Sequence, residues 1–368
     1  MLKKAHARYM AELISNKQRI GVLLFNLGGP ETLEEVRPFL FNLFADPDII
    51  RLPWRGLQKP LAWLISTQRH KKSRGYYEQI GGGSPLRRIT EEQARALEGA
   101  LAARGVNARA YVGMRYWKPF IEEALDQIRR DQVEHLVILP LYPQFSVSTT
   151  GSSLNRMHAI AEETGHRLPP TSVVCSYEAD ANYIDAMAAA ALEELAQFPN
   201  QHPSQTHILF SAHSVPVRYI NEGDPYLDQT KRTVELMMER LGTHRPHTLS
   251  FQSKVGPVEW LTPATNVTIP KLGREGVTQL MLVPVSFVSE HSETLYEMDI
   301  LYRDAAAEAG IAHYRRVPTM NCRPDFIAAL AALVERALPG AASRSTCIHS
   351  PDATSGAALV CACERAIG

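Results

Sequence analysis

Short runs of consecutive apolar residues alternate along the chain with longer stretches whose apolar positions recur every three or four residues. The runs fall at Gly21 to Asn26, Ala108 to Gly113, His135 to Pro140, His207 to Ser211, Thr248 to Gln252 and Gln279 to Pro284. The amphipathic stretches fall at Thr90 to Arg104, Pro119 to Arg130, Tyr183 to Phe198, Asp228 to Leu241 and Ser292 to Ala309. Apolar runs this short predict strands buried on both faces, and the 3.6-residue period between them predicts helices that cover those faces. Strand, helix and strand in succession predict parallel sheets and an α/β protein.

Two stretches repeat. GVLLFNLGGP (21–30) shares its pattern of apolar strand, small polar loop and proline with HILFSAHSVP (207–216), and VILPLYPQFS (137–146) shares one with MLVPVSFVSE (281–290). The chain therefore reads as two similar halves of the α/β class, parallel sheets flanked by helices. The spacing between the matched pairs differs, so the first half carries an insertion, placed at residues 39–84. The linker is placed at His166 to Ser172, where RLPPTS interrupts the pattern. The expected domains are residues 20–170, 171–335 and a cysteine-bearing extension, 336–368, that packs back on the protein.

Composition narrows the function. Of 368 residues, 45% are hydrophobic and 21% charged, and 39 Lys+Arg balance 39 Asp+Glu. That is a globular composition with no basic excess for phosphate contacts, which argues against a nucleic-acid partner. No stretch approaches the roughly 20 apolar residues of a bilayer span. The run Gly21 to Leu27 follows a basic segment as a signal sequence would, but Asn26, Gly28, Gly29 and Pro30 break it, and it reads as a buried strand. Five cysteines, three of them in the last 22 residues, form no even disulfide framework and point to the cytosol.

In open parallel sheets a ligand sits at the carboxyl ends of the strands, and every unusual loop here follows a strand. The glycine motifs fit neither a dinucleotide nor a Walker fingerprint, and there is no G-x-S-x-G elbow. Ser146 to Ser153 (SVSTTGSS) reads either as an anion nest or as a helix cap with close-packed small residues. His213 ends an apolar run, a position suited to a cleft. Glu290, Glu293 and Glu297 fall at i, i+3 and i+7, one helical stripe with no Lys or Arg on that helix before Arg303. Such a stripe invites a cation, and with His291 or His213 nearby it suits a transient divalent ion. An acidic helix start favoured by the dipole is the competing reading for Glu290 and Glu293, though not for Glu297. The insertion carries Phe41, Phe44, Trp54, Leu57, Trp63 and Leu64 ahead of the basic run Arg69-His70-Lys71-Lys72-Ser73-Arg74. These residues either pack as core or form an apolar lip for a flat, greasy, acid-edged ligand or for a membrane surface.

Eight motifs, in order, resemble those of the ferrochelatase family: NLGGPET (26–32), IGGGSPL (80–86), MRYWKP (114–119), YPQFSVSTTGSSLN (142–155), FSAHSVP (210–216), GDPY (223–226), FQSKVGPVEWLTP (251–263) and FVSEHSETLYEMD (287–299). The resemblance runs from about Gly21 to Phe326. It implies a chelatase-type pair of similar Rossmann-like domains, parallel sheets flanked by helices, clasping a porphyrin in the cleft between them, and insertion of ferrous iron into protoporphyrin IX as the activity. By the same resemblance His213 is the essential histidine and Glu293 the cleft glutamate, with Glu297 and His291 along the same path. Iron would meet His213, Glu293 and His291, and whether His213 accepts a pyrrole proton or ligates the metal stays open. Arg115 and Tyr116 match a pair on the opposite wall, Arg69, Tyr77 and Ser84 match porphyrin-contacting positions, and Trp260 matches a pocket aromatic. Glu290 stands where many relatives have aspartate.

Some members carry a 2Fe-2S cluster on C-terminal cysteines plus one internal cysteine. The resemblance implies Cys175, Cys347, Cys361 and Cys363 as its ligands, with Cys322 a free thiol and unligated cysteines the alternative. The implied partners are protoporphyrin IX and Fe(II), with no nucleic acid, in a monomer or homodimer of the cytoplasm that touches the inner membrane, if at all, through the lip. Competing readings are a chelatase for cobalt or for another tetrapyrrole, sirohydrochlorin or coproporphyrin, and a porphyrin carrier without catalysis.

Overall fold

The computed structural model describes residues 19–338 apart from 51, 53, 166, 201, 255 and 257, together with the strand at 347–349. Cys361 and Cys363 lie outside the described residues. Two sheets form the frame. In the first, β1 (Ile20–Asn26) lies parallel between β2 (Ala108–Met114) and β3 (His135–Pro140), with Ile20 opposite both Ala108 and His135. β4 (Thr171–Ser176) continues the sheet in parallel beside β3, and β5 (Thr206–His213) begins the second, between β6 (His247–Gln252) and β7 (Gln279–Pro284). β8 (His313–Arg316) closes that sheet, and β9 (Cys347–His349) runs antiparallel along β4.

The orders are β2-β1-β3-β4-β9 and β6-β5-β7-β8, so without β9 the two sheets have one topology. The repeated sequence pairs occupy equivalent places in it: 21–30 and 207–216 supply the second strand of each order, 137–146 and 281–290 the third. Central strands of a parallel sheet are buried on both faces, and β1, β3 and β7 are buried at every position. In β5 the two faces part company: Ile208, Phe210 and Ala212 join the large core shared with the first half, while Leu209 joins a separate cluster with Leu280, Leu282 and Met298.

Three strands, β4, β8 and β9, are absent from the apolar pattern. β4 follows directly on the prolines of the expected linker, and its pairing with β3 puts Thr171–Ser176 in the first sheet, not in the second half where the boundary at 170/171 had placed it. β8, His-Tyr-Arg-Arg, is a short, half-buried edge strand without an apolar run to betray it. The helix Pro324–Ala337 also returns to the first half, where Arg104 bonds Glu335 at 2.7 Å and Arg336 pairs with Asp180, the cap of the helix Ala181–Leu195.

The insertion has its own small core. Phe39, Leu40 and Phe44 of α1 (Val36–Phe44) and Ala62 and Tyr77 of α2 (Gln58–Gln79) pack on Tyr116 and Trp117 of the first half. The core reading holds for these residues, whereas Trp54, Leu57, Trp63 and Leu64 of the same segment stay exposed. No helix among the described residues is long and apolar enough to cross a membrane.

The glycine motifs serve close approach. Ser84 N donates to Pro30 O at 2.6 Å, which brings IGGGSPL against NLGGPET, and a Cβ added at Gly83 would overlap the Glu31 carbonyl. Gly83→Ala should therefore destabilise the protein by about 1–3 kcal/mol, the usual cost of overpacking. Urea unfolding checks it; an unchanged midpoint would show that the two loops can separate freely.

Candidate active site

Three neighbouring strands of the second sheet deliver the reactive groups at their carboxyl ends. His213 is the last residue of β5, opposite Gln252 of β6, and Ser253 follows with φ +65°, a left-handed turn that takes the chain off the strand. After β7 the chain enters a helix with i→i+5 bonding, Glu293–Leu301, and continues as an α-helix through Tyr302–Glu308. Such wide-turned helices are rare and occur mostly at functional sites. Glu293 and Glu297 lie on this segment.

His213 Nδ1 is 2.8 Å from Glu293 Oε2. Ser253 Oγ lies 2.9 Å from that same oxygen and 2.8 Å from Glu297 Oε2. Gln252 Nε2 donates to Glu297 Oε2 at 3.2 Å, and Tyr302 OH reaches it at 3.4 Å. A serine hydroxyl has one hydrogen, so it can donate to only one of two carboxylates; the second short contact needs a proton on a carboxyl. Glu297 supplies it. Burial, and then the charge of Glu293, push the Glu297 carboxyl up to about 7. Burial also acts to raise Glu293, but the charge and hydrogen bond of His213, with His291 and Ser253, hold it well below the carboxylate range. Burial acts to lower His213, and the charge and hydrogen bond of Glu293 overcome it, so the imidazole is raised. The result is a continuous chain of donors and acceptors: Glu297, Ser253, Glu293, His213.

Glu290 does not belong to that chain. Its Oε1 accepts from Arg316 at 2.7 Å and from Thr319 N at 3.1 Å, and Arg316 also holds Asp299 at 2.6 Å. The cation that the acidic stripe invited is therefore in part a residue of the edge strand β8. Glu290 itself lies before the helix begins, leaving Glu293 and Glu297 as the pair that converges. His291 stands beside them with Nδ1 donating to Ser289 O at 3.0 Å, which fixes Nε2 as its acceptor nitrogen. Among the described residues no three His, Cys, Asp or Glu side chains form a ready metal cage. His213 and Glu293 are joined, and His291 is not bonded to them.

The insertion reaches the same helix. Tyr76 stacks on Tyr296 with ring centres 4.2 Å apart, and next to it the buried Tyr77 hydroxyl, raised to about 12 by burial and by Glu293, bonds Ser292. Arg69, on the same helix as Tyr77, is exposed, with its guanidinium 5.8 Å from the Phe44 ring centre. Trp260 pairs across to Pro216 in the loop after His213, and its indole N–H is buried without an acceptor. Ser84 is buried and caps the helix Leu86–Ala103 by accepting from Leu86 N at 3.3 Å.

Arg115 and Tyr116 lead elsewhere. Arg115 lies 2.9 Å from Asp46, and the Tyr116 hydroxyl donates to that carboxylate at 2.6 Å, as does Ser152 at 2.5 Å. Tyr116 is 1% exposed, so it braces the wall from behind. Gln252, Ser253, Tyr302 and Asp46 escaped the sequence reading. The position of Ser253 directly after a strand in FQSK was the available signal; Asp46 in a short Asp-Pro-Asp turn gave none.

Two α/β lobes of one strand order, with acid–base groups at the strand ends, define a chelatase-type protein. The solved SirB from Bacillus subtilis with Fe3+ shares this fold, at TM-score 0.51 and 13% identity over 88% of this chain and 96% of that one. The chain belongs to the ferrochelatase family, whose model, described as Ferrochelatase, matches residues 19–338. Ferrochelatase of Trichodesmium erythraeum (strain IMS101) is 54% identical over 87% of this chain and 83% of its own length. Ferrochelatase of Synechocystis sp. (strain ATCC 27184 / PCC 6803 / Kazusa) is 55% identical over 86% and 82%. Members of the family are lyases that insert ferrous iron into a porphyrin to form haem, and the activity of this chain is of that kind.

The raised carboxyl makes stability depend on pH in a defined sense. Folded Glu297 keeps its proton to about pH 7, whereas an unfolded glutamate loses it near 4.5. Native stability therefore falls between those values as pH rises. Glu297→Gln, which mimics the protonated acid, should gain on wild type across that window and keep the full gain above pH 7. Unfolding curves at pH 4.5 and pH 8 check this; an equal difference at both would contradict it.

Proposed function

We propose that this chain inserts Fe(II) into protoporphyrin IX to give protohaem, with His213 as the base and Glu293 and Glu297 as the relay that removes its protons. The observation that carries the assignment is the unbroken chain from His213 through Glu293 and Ser253 to Glu297. Because Nδ1 of His213 faces Glu293, Nε2 is the nitrogen left to accept a pyrrole proton. The imidazolium so formed is stabilised by Glu293, and Glu297 takes the proton through Ser253 once it has released its own to solvent, so the charge of the site stays nearly constant as protons leave. Iron arrives as substrate, and the carboxylates are hard oxygen donors able to replace its water. His291, with its Nε2 lone pair exposed by the Ser289 bond, is the third candidate to meet the metal.

Arg69 on the lip, Tyr77 and Ser84 at its base, the unpaired Trp260 N–H and, through the Asp46 wall, Arg115 and Tyr116 would hold the ring. The exposed Trp54, Leu57, Trp63 and Leu64 favour protoporphyrin over the more acidic coproporphyrin. With Lys59, Lys71 and Lys72 exposed on α2, the same patch supports peripheral contact of this cytoplasmic protein with an anionic membrane surface.

The cysteine set fits a 2Fe-2S cluster as far as the described residues reach. The β4–β9 ladder pairs Cys347 with Ser176, one residue from the buried Cys175, so two cysteines far apart in sequence come to adjoining places. Cys361 and Cys363 would complete the ligands. A cluster there would supply one-electron chemistry, and no step of the insertion runs through it.

His213→Ala should lower turnover with anaerobic Fe(II) and protoporphyrin by about 10²-fold or more, the usual share of a general base, while quenching of porphyrin fluorescence still reports binding. Turnover near wild type would remove the base from the mechanism. In the same assay protoporphyrin should be consumed faster than coproporphyrin, and a visible absorbance bleached by dithionite should accompany the purified protein; a colourless, metal-free protein would dismiss the cluster.

A further inference from the structure

The GDPY motif at 223–226 has so far had no role, and its side chains lead to His213 from below. Tyr226 OH donates to His213 O at 2.8 Å, and His213 N donates to Ser286 Oγ at 2.9 Å. Two hydroxyls thus hold the His213 backbone, Ser286 accepting from its N–H and Tyr226 donating to its C=O. A residue held at both its N–H and its C=O has little freedom to rotate, and the imidazole it carries is aimed accordingly.

Asp224 ties these contacts to the other half of the molecule. Its Oδ1 accepts from Tyr226 N at 3.0 Å, and its Oδ2 accepts from Ser146 Oγ and Val147 N, both at 2.8 Å. Ser146 and Val147 belong to the loop at the carboxyl end of β3, in the first sheet. That loop is docked further by Gln144 Nε2 on Val285 O at 3.2 Å and by Phe145 N on Gln229 Oε1 at 2.7 Å. Asp224, Tyr226 and Ser286 are all at most 9% exposed, so these bonds are made away from competing water.

We propose that Tyr226, Ser286 and Asp224 are positioning residues for metal insertion: the two hydroxyls orient His213 toward Glu293, and Asp224 registers that orientation against the first half of the protein. The proposal rests on His213 being the base, and it also assigns SVSTTGSS, whose first two residues bind Asp224, to bracing and not to an anion.

The test is steady-state insertion of Fe(II) with Tyr226→Phe, Ser286→Ala, Ser286→Thr and Asp224→Asn, alone and with Asp224→Asn and Tyr226→Phe combined. Misaligned reacting groups lose rate without losing ligand affinity, so Tyr226→Phe and Ser286→Ala should each lower kcat about tenfold and leave the KM for porphyrin within about twofold. Ser286→Thr keeps the hydroxyl and should restore most of the rate. Asp224→Asn should lower kcat similarly, and the double variant should be no slower than the worse single one, because both break one path. Wild-type kcat in Tyr226→Phe, a fall in kcat matched by a rise in KM or by a lost melting temperature, or fully multiplicative losses in the double variant would each overturn the proposal. A fully active His213→Ala would instead overturn the base assignment beneath it, and the two failures are told apart by that one variant.

Discussion

One hydroxyl hydrogen shared between two buried carboxylates is the constraint on which the site depends. Ser253 cannot satisfy Glu293 and Glu297 together while both are charged, and desolvation disfavours two adjacent anions in any case. The low-energy arrangement has one proton too many for a pair of carboxylates and an imidazole able to hold another. A site built this way is a proton store with a directed exit, which suits a reaction that must strip protons from a ring while a dication arrives.

The fold creates that constraint by duplication. Two sheets of one topology present their strand ends to a common region, and the second sheet places His213, Ser253 and Glu293 after three adjacent strands. Adjacent parallel strands lie about 4.8 Å apart, so His213 at the end of β5 and Ser253 just past β6 are close neighbours, and Glu293 reaches them from the helix that follows β7. The first sheet contributes a wall instead. Its equivalent loops carry Gly28 and Arg115, and its charge is neutralised internally, since Asp46 takes Arg115, Tyr116 and Ser152 on one carboxylate. Duplication thus gave two mouths, and only one of them became acid–base machinery.

How much of this was legible depends on where the partner of each residue lies in sequence. The central strands and the repeat were readable because burial on both faces leaves an uninterrupted apolar run. His213 was readable from its place at the end of such a run, and Glu293 and Glu297 from the acidic spacing and the motif resemblance. β8 was not, since an edge strand of His-Tyr-Arg-Arg carries no apolar signal, and with it went Arg316, the partner that removes Glu290 from the acidic stripe. The stripe was read with a 3.6-residue period, and the widened helix that begins at Glu293 does not keep that period. Asp46, 69 residues before Arg115, shows the same limit: a buried ion pair formed by tertiary packing leaves no local pattern.

The helix that carries Glu293 and Glu297 is gripped from several directions. Arg316 binds Asp299 on the flank of the helix, Tyr314 OH donates to Met298 O at 2.6 Å, and Tyr76 of the insertion stacks on Tyr296. Tyr296 lies one residue from Glu297, and Tyr77 contacts Ser292, one residue from Glu293. Any movement of the insertion must therefore shift side chains that neighbour both carboxylates. An i→i+5 helix is rare and occurs mostly at functional sites. Here its surroundings include Tyr76 and Tyr77 of the insertion, so the geometry of the Glu293–Glu297 pair depends on how that segment packs.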